Sequence, residues 1–419
     1  MTAPLQHDRF GNPEPPAGGP FLPPSERSRI SLGLTAAAAI GRFALQVCRE
    51  CRVWQYPPRE MCGQCLSVLL DWEVQSGDGV LLCETALAHS TDPYFRERLP
   101  WRLGIVRLDC GPTAVVHLRA DTPAAPAPVR VHAMLDRAGQ GVLVAYPAMG
   151  TPDMLHDEQV REMTCDPKRR KILVTDGRSA VGQALVLALI VAQADQVWVG
   201  HAESTDLSRN LTELQTLPQV RVLPLDVTRE ESVKDAAATM GGQVDIVINT
   251  AELHYVQGGN LSSAQELAHA QMDVNYFGLL RLAQEFGPLM RSRAEKGQGN
   301  AVAWVNLLSV FALSSFPGRG EFSASKSAAH LFSQSLRAQM QPAGIRVVNV
   351  FPGPLDDEWN QNISLPKLGA AALAQAIVKS LREAVEDVYP GDVAQEWLAR
   401  WRDNPKVLER ELALGSRPV

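Results

Sequence analysis

The sequence lacks long apolar runs and an excess of basic residues, and both absences narrow the possible functions. No stretch of the 419 residues is apolar over the roughly 18 positions that a membrane-spanning helix needs. The N-terminus also lacks the basic-then-apolar pattern of a secretory signal. Lys and Arg number 40 against 46 Asp and Glu, and the formal net charge is −6. Because nucleic acid binding requires a basic field, we expect a cytoplasmic protein that binds neither membranes nor nucleic acid.

The length of the chain and two proline-containing stretches predict several domains. Single cores rarely exceed about 250–300 residues, so a chain of 419 residues is expected to fold as two or more domains. Residues 1–28 are rich in Pro and Gly and have too little apolar surface to offset the entropy cost of ordering, so they are interpreted as a flexible arm. Residues 151–168 are interpreted as a polar linker. Three folded segments are then expected over 29–68, 69–150 and 169–419.

Four of the seven cysteines form two CxxC motifs in the first folded segment, which opens with an Ala-rich helix. Cys48 and Cys51 are separated by ten residues from Cys62 and Cys65. Two such motifs present four thiolates on tight turns, which is the ligand set of a tetrahedral zinc site. Four protein ligands leave no position for water, so the zinc is expected to be structural. The alternative is four unrelated buried thiols. The other cysteines are interpreted as single buried thiols: Cys83, Cys110 and Cys165.

The segment 51–65, which reads CRVWQYPPREMCGQC, resembles the zinc-ribbon and OB-fold accessory proteins found with thiolases and ketosynthase-like enzymes. The resemblance extends over about residues 25–150 and implies a zinc ribbon over 29–68 and an OB-fold barrel over 69–150. It also implies that this part docks a thiolase-like or ketosynthase-like enzyme or handles an acyl-CoA ester. Residues 94–101 are interpreted either as part of that surface or as a loop that caps the barrel. Five short runs separated by turn signals are typical of strands in a small closed barrel: 80–87, 103–108, 113–118, 129–135 and 141–146.

From residue 171 the pattern changes to short apolar strands that alternate with helical stretches. This alternation predicts βαβ units and a doubly wound parallel sheet. The strand candidates are 171–175, 196–199, 220–225, 245–249, 301–307 and 346–350.

The segment 306–326, which reads NLLSVFALSSFPGRGEFSASK, resembles the catalytic segment of the short-chain dehydrogenase/reductase family. The family has a Ser, a Tyr thirteen residues later and a Lys four residues after the Tyr; here Ser309 and Lys326 keep their places and Phe322 replaces the Tyr. Asn275 matches the Asn of the same tetrad. The resemblance implies that Ser holds the substrate oxygen, that Tyr is the general acid/base, and that Lys lowers the Tyr pKa and holds the nicotinamide ribose. Without the Tyr, Ser309 and Lys326 are either what is left of that site or structural residues.

The resemblance, which covers about residues 169–415, also implies where a dinucleotide would bind. The family turn T-G-x-x-x-G-x-G corresponds to Thr175–Gly182, in which Asp176 and Ala180 replace the first two glycines. Asp176 brings a carboxylate to the pyrophosphate position, and Arg178 is a candidate to compensate its charge. Glu252 replaces the Gly of the N-N-A-G motif. The residues that the resemblance assigns to the cofactor are Thr175, Gly177, Gly182, Asp226, Asn249, Pro352 and Gly353.

Simultaneous changes in the glycine turn, the N-N-A-G motif and the catalytic Tyr favour a non-catalytic pseudo-dehydrogenase. We expect an accessory subunit of an acyl-CoA-metabolising complex in which NAD(P) binding is weak or absent. The helix of Asn275 and the helix from Ser323 are expected to mediate dimerisation, either with a second copy of the chain or with an active dehydrogenase paralogue. One alternative is an active NAD(P)-dependent 3-hydroxyacyl-CoA dehydrogenase whose proton donor is non-standard; Tyr255 and Tyr276 are the nearby tyrosines. A second alternative is an acyl-CoA binding module without redox chemistry.

Overall fold

The computed structural model describes residues 22–149, 158–202, 209–254, 261–295 and 301–415. The chain forms two compact units, the first from Met1–Cys165 with Arg382–Val385 and the second from Asp166–Leu381 with Glu386–Val419. Most of the predicted arm and residues 150–157 of the predicted linker lie outside the described residues. The rest of the linker is not irregular, since a helix forms over Glu158–Met163. Val160 and Met163, one turn apart, are buried in an aromatic cluster of the first unit.

The first unit contains a small three-stranded sheet and a closed barrel. The sheet has the antiparallel order β2–β1–β3, and β3 extends it beyond residue 68. The barrel has the strand order β4–β5–β6–β8–β7 and closes through the pairing of β4 with β7. The elements are a 3-10 helix Arg29–Ser31, α1 Leu32–Ala38, β1 Ala44–Cys48, β2 Trp54–Gln55, β3 Leu70–Val74, β4 Asp78–Leu87, α2 Pro93–Arg96, β5 Trp101–Leu108, β6 Thr113–Leu118, β7 Ala127–Leu135, β8 Gly141–Pro147 and α3 Glu158–Met163.

Alternating side chains fill the barrel. Alternate residues of β6 are buried, including Val116 and Leu118, while Val115 is 60% exposed. Gly104 gives the interior clearance, because a Cβ at that position would lie 2.5 Å from Leu81 Cδ1. The zinc ribbon and barrel expected from the sequence are therefore both present.

The second unit is a parallel sheet with helices between its strands. The order β11–β10–β9–β12–β13–β14–β15 is parallel throughout. The elements are β9 Lys171–Val174, α4 Ala180–Val191, β10 Gln196–His201, α5 Arg209–Gln215, β11 Val220–Pro224, α6 Glu230–Met240, β12 Ile246–Asn249, α7 Leu261–Met272, a π-helix Asp273–Phe277, α8 Gly278–Glu295, β13 Ala303–Leu307, a 3-10 helix Val310–Ala312, α9 Gly320–Met340, a 3-10 helix Gln341–Ala343, β14 Arg346–Val350, a 3-10 helix Glu358–Asn360, α10 Ala370–Glu383, β15 Asp387–Val388, α11 Asp392–Asp403 and α12 Pro405–Gly415.

The strand order places a crevice at the carboxyl ends of the central strands. Their side chains are buried on both faces, as in Ile172, Leu173 and Val174, which is typical of a sheet covered by helices on each side. The order reverses between β9 and β12, and ligands of such sheets bind beyond this point. The predicted doubly wound fold is confirmed. None of the described helices is both long and apolar enough to cross a bilayer.

Candidate functional site

The sulfur atoms of the four predicted zinc ligands converge in the ribbon. The Sγ atoms of Cys48, Cys51, Cys62 and Cys65 all lie within 4.8 Å of one another. The Cys48–Cys65 and Cys51–Cys62 sulfur pairs are each 3.5 Å apart. A tetrahedral site with Zn–S bonds of about 2.3 Å requires sulfur separations of about 3.8 Å. The donor set and its geometry therefore fit a structural zinc ion held by four thiolates.

Main-chain N–H groups in the two knuckles favour thiolates. The N–H groups of Cys65 and Gln64 lower the pKa of the Cys62 thiol to about 6. The N–H of Cys51 is the main cause that lowers the pKa of Cys48. At Cys65 the main-chain N–H of Ser67 does not outweigh the neighbouring thiols and burial, which raise the pKa to about 12. The pKa of Cys51 is also raised, although the Val53 N–H opposes the shift. Because the thiolate is the form that binds metal, the turns prepare Cys62 and Cys48, but not all four ligands, for zinc.

The remaining cysteines differ in exposure. Cys165 is buried, Cys110 is half-buried and Cys83 is exposed. The prediction of a buried thiol is wrong for Cys83, because the pairing of β4 shifts between Leu81 and Cys83 and the inward–outward alternation changes there.

The turn after β9 has an ion pair where the resemblance places the pyrophosphate. Asp176 is held by Arg178, whose Nε and Nη2 donate to the Asp176 carboxylate at 3.0 and 2.8 Å. The predicted charge compensation is thus confirmed. Two glycines of the turn are required by packing, since a Cβ at Gly177 would lie 2.1 Å from Val199 Cγ1 and one at Gly182 would lie 2.2 Å from the Asp176 carbonyl oxygen.

Thr175 and Asn249 hold the ends of β9 and β12 together. The Thr175 hydroxyl donates to Asn249 Oδ1 at 2.9 Å and accepts from the main-chain N–H groups of Thr250 and Ala251 at 3.0 and 3.1 Å. Both side chains are buried. These two predicted cofactor residues therefore bond to each other, and Thr175 also bonds to the backbone that follows β12.

The outer end of the crevice keeps an opening around Asp226. One Asp226 carboxylate oxygen accepts from the N–H and hydroxyl of Thr228 at 2.9 and 2.7 Å. A cavity of about 200 Å³ lies here and includes Thr175, Arg178 and Glu252 in its lining. Its volume is below the roughly 300 Å³ at which small-molecule sites commonly begin.

Asn275 and Ser309, two predicted tetrad residues, also bond to neighbouring protein groups. Asn275 accepts from the Leu253 N–H and donates to the Leu253 carbonyl and to Ser325 Oγ, all at 2.9 Å. It lies in the π-helix. Ser309 Oγ caps the following 3-10 helix by accepting from the Phe311 N–H at 3.2 Å.

The Pro352–Gly353 loop packs against both sides of this region. The Pro352 carbonyl accepts from the Val310 N–H at 3.0 Å. Gly353 leaves room for α11, because a Cβ there would lie 3.0 Å from Val393 Cγ1. The Pro352 carbonyl oxygen thus lies beside Ser309, whose Oγ is 3.5 Å away.

Lys326 is paired inside the protein. Its Nζ lies 2.7 Å from Glu252 Oε2 and donates to the Leu307 carbonyl at 2.9 Å. The Lys326 side chain is 2% exposed and that of Glu252 is 20% exposed. Glu252, at the end of the N-N-A-G segment, therefore supplies the counter-charge for a buried ammonium.

Phe322 forms an aromatic stack where the family has its Tyr. Its ring lies 3.9 Å from the His254 ring at an interplanar angle of 14°. His254 Nε2 is 2.8 Å from Arg319 Nη1, and Arg319 Nη2 donates to the Trp359 carbonyl at 2.6 Å. Burial, with a further contribution from the positive charges of Arg319 and Lys326, lowers the pKa of His254 to about 4. His254 is therefore neutral at pH 7 and is a poor proton donor.

Little space is left where Ser309, Phe322 and the Pro352 loop meet. The cavity there has a volume of about 20 Å³, and Glu252 and His254 form part of its wall. Such a volume holds roughly one water molecule. It is far below the roughly 300 Å³ at which small-molecule sites commonly begin.

Of the two alternative tyrosines, only Tyr276 can be compared with the vacant position. Tyr255 lies outside the described residues. Tyr276 packs edge-on against Phe277 and Phe332 and is not among the residues that line the small cavity.

Tyr94 and Trp101, which were candidates for a binding surface, are 2% and 1% exposed. They belong to the aromatic cluster of the first unit, with Trp101 Nε1 donating to His117 Nδ1 at 2.7 Å. The surface interpretation of these two residues is wrong, because their rings are buried by the cluster.

Three family models match the chain in N- to C-terminal order. They are the ChsH2 rubredoxin-like zinc ribbon domain over 35–68, the ChsH2 C-terminal OB-fold domain over 72–134 and short chain dehydrogenase over 170–368. Short-chain dehydrogenase ptmH of Penicillium ochrochloron is 31% identical over 48% of this chain and 71% of its own length. The chain belongs to the short-chain dehydrogenase family. ChsH2-type ribbon and OB-fold domains precede its dehydrogenase domain.

Other relatives agree with this assignment. Dehydrogenase/reductase SDR family member 7B of Mus musculus is 30% identical over 52% of this chain and 68% of its own length. A crystal structure of a short chain dehydrogenase from Burkholderia cenocepacia, in complex with NADP, is 28% identical. The superposition covers 60% of this chain and 100% of the Burkholderia chain, with a TM-score of 0.52.

Sequence reasoning found the substitution at Glu252 but not its partner, and it missed His254 and Arg319 entirely. The signal for Glu252 was an acidic residue at a family glycine position, in a chain where Phe322 replaces the Tyr that normally accompanies Lys326. No comparable signal marks His254 and Arg319, which are separated by 65 positions in the chain.

Zinc coordination is tested by Cys62→Ser. Structural zinc contributes about 10–16 kcal/mol of binding free energy in zinc-finger peptides, so loss of one thiolate is expected to release the metal and unfold the ribbon. Metal analysis by mass spectrometry should fall from one zinc per chain to none. Cys83→Ser, at an exposed thiol outside the cluster, is the matched control. Unchanged zinc content in Cys62→Ser would contradict the assignment.

The buried ion pair is tested by Glu252→Gln. Removing the charge that compensates Lys326 should lower the free energy of unfolding of the second unit by about 1–3 kcal/mol. Glu252→Gln/Lys326→Met should recover part of that loss, because no buried charge is left unpaired. Urea unfolding followed by circular dichroism measures both. The exposed Glu358→Gln should change the free energy by less than about 0.5 kcal/mol; an equally small effect in Glu252→Gln would exclude this role.

Proposed function

We propose that this chain is a non-catalytic accessory subunit of an acyl-CoA-metabolising complex. The observation that carries the proposal is the pairing of Lys326 with Glu252. In active family members this lysine holds the nicotinamide ribose and lowers the pKa of the catalytic Tyr. Here its charge is already compensated by the protein, and Phe322 has no proton to transfer.

Changes along the whole crevice support the same conclusion. At the phosphate end, the Arg178 guanidinium is already paired with the Asp176 carboxylate. At the nicotinamide end, the cavity of about 20 Å³ leaves no room for the ring. The wider opening near Asp226 still allows weak contact with the adenosine end of a nucleotide. NAD(P) binding is accordingly weak or absent in this proposal, in contrast to the Burkholderia relative that was crystallised with NADP.

The ribbon offers a surface for a partner protein. Four apolar side chains close to the second CxxC motif form what we call the ribbon patch: Met61, Leu66, Val68 and Leu69, which are 47%, 69%, 71% and 49% exposed. Exposed apolar residues that are grouped together, unlike single ones, mark protein–protein interaction sites. We propose that the ribbon patch docks a thiolase-like enzyme, consistent with the ChsH2-type domains.

The dehydrogenase part is proposed to dimerise, with itself or with an active paralogue. Leu279, Leu282 and Phe286 of α8 are buried in the core. Phe277 and Leu331 lie on the predicted dimer helices but are 43% and 65% exposed. They provide apolar contacts that the core does not use.

An active enzyme with another proton donor is a weaker candidate. His254 is the ionisable aromatic group stacked on Phe322, but its pKa of about 4 leaves it without a proton at neutral pH. General acids work best when their pKa lies near the operating pH.

The pseudo-dehydrogenase assignment is tested with NADPH and acetoacetyl-CoA. We expect an NADPH dissociation constant above about 1 mM by fluorescence titration and no hydride transfer. Phe322→Tyr should restore neither, because the hydroxyl alone does not free Lys326. The positive control is a quadruple variant that restores the family residues, and it should regain NADPH binding: Asp176→Gly/Ala180→Gly/Glu252→Gly/Phe322→Tyr. Turnover by the unaltered chain, or by Phe322→Tyr alone, would refute the proposal.

Docking is tested by Leu66→Asp/Val68→Asp. Charges in the ribbon patch should lower recovery of a thiolase-like enzyme, quantified by mass spectrometry after purification of the tagged chain from its host, by about tenfold or more. Val191→Asp, at an 84% exposed apolar position on α4, is the control and should leave recovery unchanged. Absence of a thiolase-like enzyme with the unaltered chain, or equal recovery with both variants, would exclude the ribbon patch as its docking site.

A further inference from the structure

The three-stranded sheet of the ribbon ends at β3, Leu70–Val74, and no strand in the described part of the chain lies beside its outer edge. At the opposite edge lies β2, which has only two residues. β3, in contrast, pairs with β1 at all five of its positions, so it is a complete strand with one open side. The main-chain N–H and C=O groups on such a side can pair with another extended chain.

The hydrogen bonds at the two ends of β3 show which of its main-chain groups point toward β1. The Gln75 N–H donates to the Phe43 carbonyl at 2.8 Å, and the Arg49 N–H donates to the Leu69 carbonyl at 2.9 Å. Both pairs continue the antiparallel register of β1 with β3. Because hydrogen-bonded pairs alternate along an antiparallel ladder, the odd-numbered residues of β3 bond to β1 and the even-numbered residues face away.

The even-numbered residues Leu70, Trp72 and Val74 therefore present their main-chain groups on the open side. The Leu70 N–H donates to the Val68 carbonyl at 3.1 Å, and the Val74 carbonyl accepts from Gln75 Nε2 at 3.2 Å. The Trp72 N–H and carbonyl and the Val74 N–H have no hydrogen-bond partner among the described residues. These three groups match the donors and acceptor that a further strand would use.

β3 is already extended and fixed in place. Gly33 of α1 leaves room for the Trp72 indole, because a Cβ at that glycine would lie 2.1 Å from Trp72 Cε2. Arg49 Nε and Nη2 donate to the two Asp71 carboxylate oxygens, both at 2.6 Å. A strand that is ordered beforehand binds a partner with a smaller loss of conformational entropy.

The two faces of β3 specify the side chains of an added strand. Leu70, Trp72 and Val74 share one face, and Val74 is 58% exposed. Asp71 and Glu73 share the other face; their side chains pair with arginines near the end of β1 and remain 35% and 40% exposed. Because opposite charges on neighbouring strands attract, the best occupant alternates apolar residues with Lys or Arg.

The acidic face also disfavours a second copy of this chain as the occupant. The outward groups of two β3 strands can meet in antiparallel registers centred on Asp71, Trp72 or Glu73. These registers place Asp71 opposite Asp71, Asp71 opposite Glu73, and Glu73 opposite Glu73. Like charges directly opposite each other destabilise a strand pair, so a different, basic segment is favoured.

The open edge is continuous with the ribbon patch. Val68 and Leu69 of the patch directly precede β3, and the exposed Val74 lies at its other end. A protein that covers the ribbon patch is therefore adjacent to the outward groups of Trp72.

We propose that the open edge of β3 accepts an extended segment of the docking partner as an added antiparallel strand, in which apolar and basic side chains alternate. The apolar side chains lie over Leu70, Trp72 and Val74, and the basic ones lie beside Asp71 and Glu73. The identity of the partner rests on the function proposed above, whereas strand addition is tested without that partner.

The test titrates the zinc-loaded full chain by calorimetry with an acetylated, amidated octapeptide that alternates Val and Lys. In an antiparallel pair with β3, the N–H groups of its Val residues face β3 and those of its Lys residues face solvent. N-methylation of the Val nitrogens should weaken binding about tenfold or more, whereas N-methylation of as many Lys nitrogens should leave it within about twofold. An octapeptide that alternates Val and Glu should bind about tenfold more weakly or worse.

A variant of β3 locates the binding edge. Val74→Pro removes an outward N–H that β1 does not use, at an edge position where Pro is tolerated, and should weaken binding of the Val–Lys peptide about fivefold or more. Val74→Ala keeps the N–H and should stay within about threefold. Zinc content and thermal unfolding verify that both variants are folded, and the N-methylated peptides need no variant.

Four results would overturn strand addition: no saturable binding of the Val–Lys peptide, equal affinity of the two N-methylated forms, equal affinity of the Val–Glu peptide, or unchanged affinity in Val74→Pro. No thiolase-like enzyme takes part in the titration. Its outcome is therefore distinct from that of the copurification that tests docking through the ribbon patch.

Discussion

A buried ammonium group sets the main constraint on the dehydrogenase domain. Lys326 has almost no contact with solvent, and an unpaired charge at such depth would be strongly destabilising. Glu252 and the Leu307 carbonyl satisfy it. The Glu252 carboxylate thereby enters the crevice between the dehydrogenase strands, and Phe322 and His254 close the remaining space as a stacked pair. The ion pair and the small cavity are consequences of the same arrangement.

The fold was accessible from the sequence because its signals are local. Two CxxC motifs predicted the cysteine cluster, and short apolar strands alternating with helices predicted the parallel sheet. The positions of Ser309, Asn275 and Lys326 relative to each other also follow from family spacing. These features depend on residue types and their spacing along the chain, and both can be read directly from a single sequence.

The contacts that decide the chemistry are not local. Glu252 follows β12 and Lys326 lies on α9, so their distance is fixed only when the sheet and helices assemble. The pairing of His254 with Arg319 has the same origin. The predictions of solvent exposure were wrong for a related reason. Cys83 is exposed because of an irregularity in strand pairing, and Tyr94 and Trp101 are buried by residues that lie elsewhere in the chain. Side-chain environment is a property of packing, which spacing does not specify.

The small cavity between Ser309, Phe322 and the Pro352 loop has a thermodynamic consequence. A protein that binds a cofactor only in its folded state gains stability in proportion to the logarithm of the cofactor concentration. Under the loss of NAD(P) binding proposed above, the dehydrogenase domain receives no such contribution. Its native population is then uncoupled from the nicotinamide pool, and its abundance does not follow the metabolic state that an active dehydrogenase experiences.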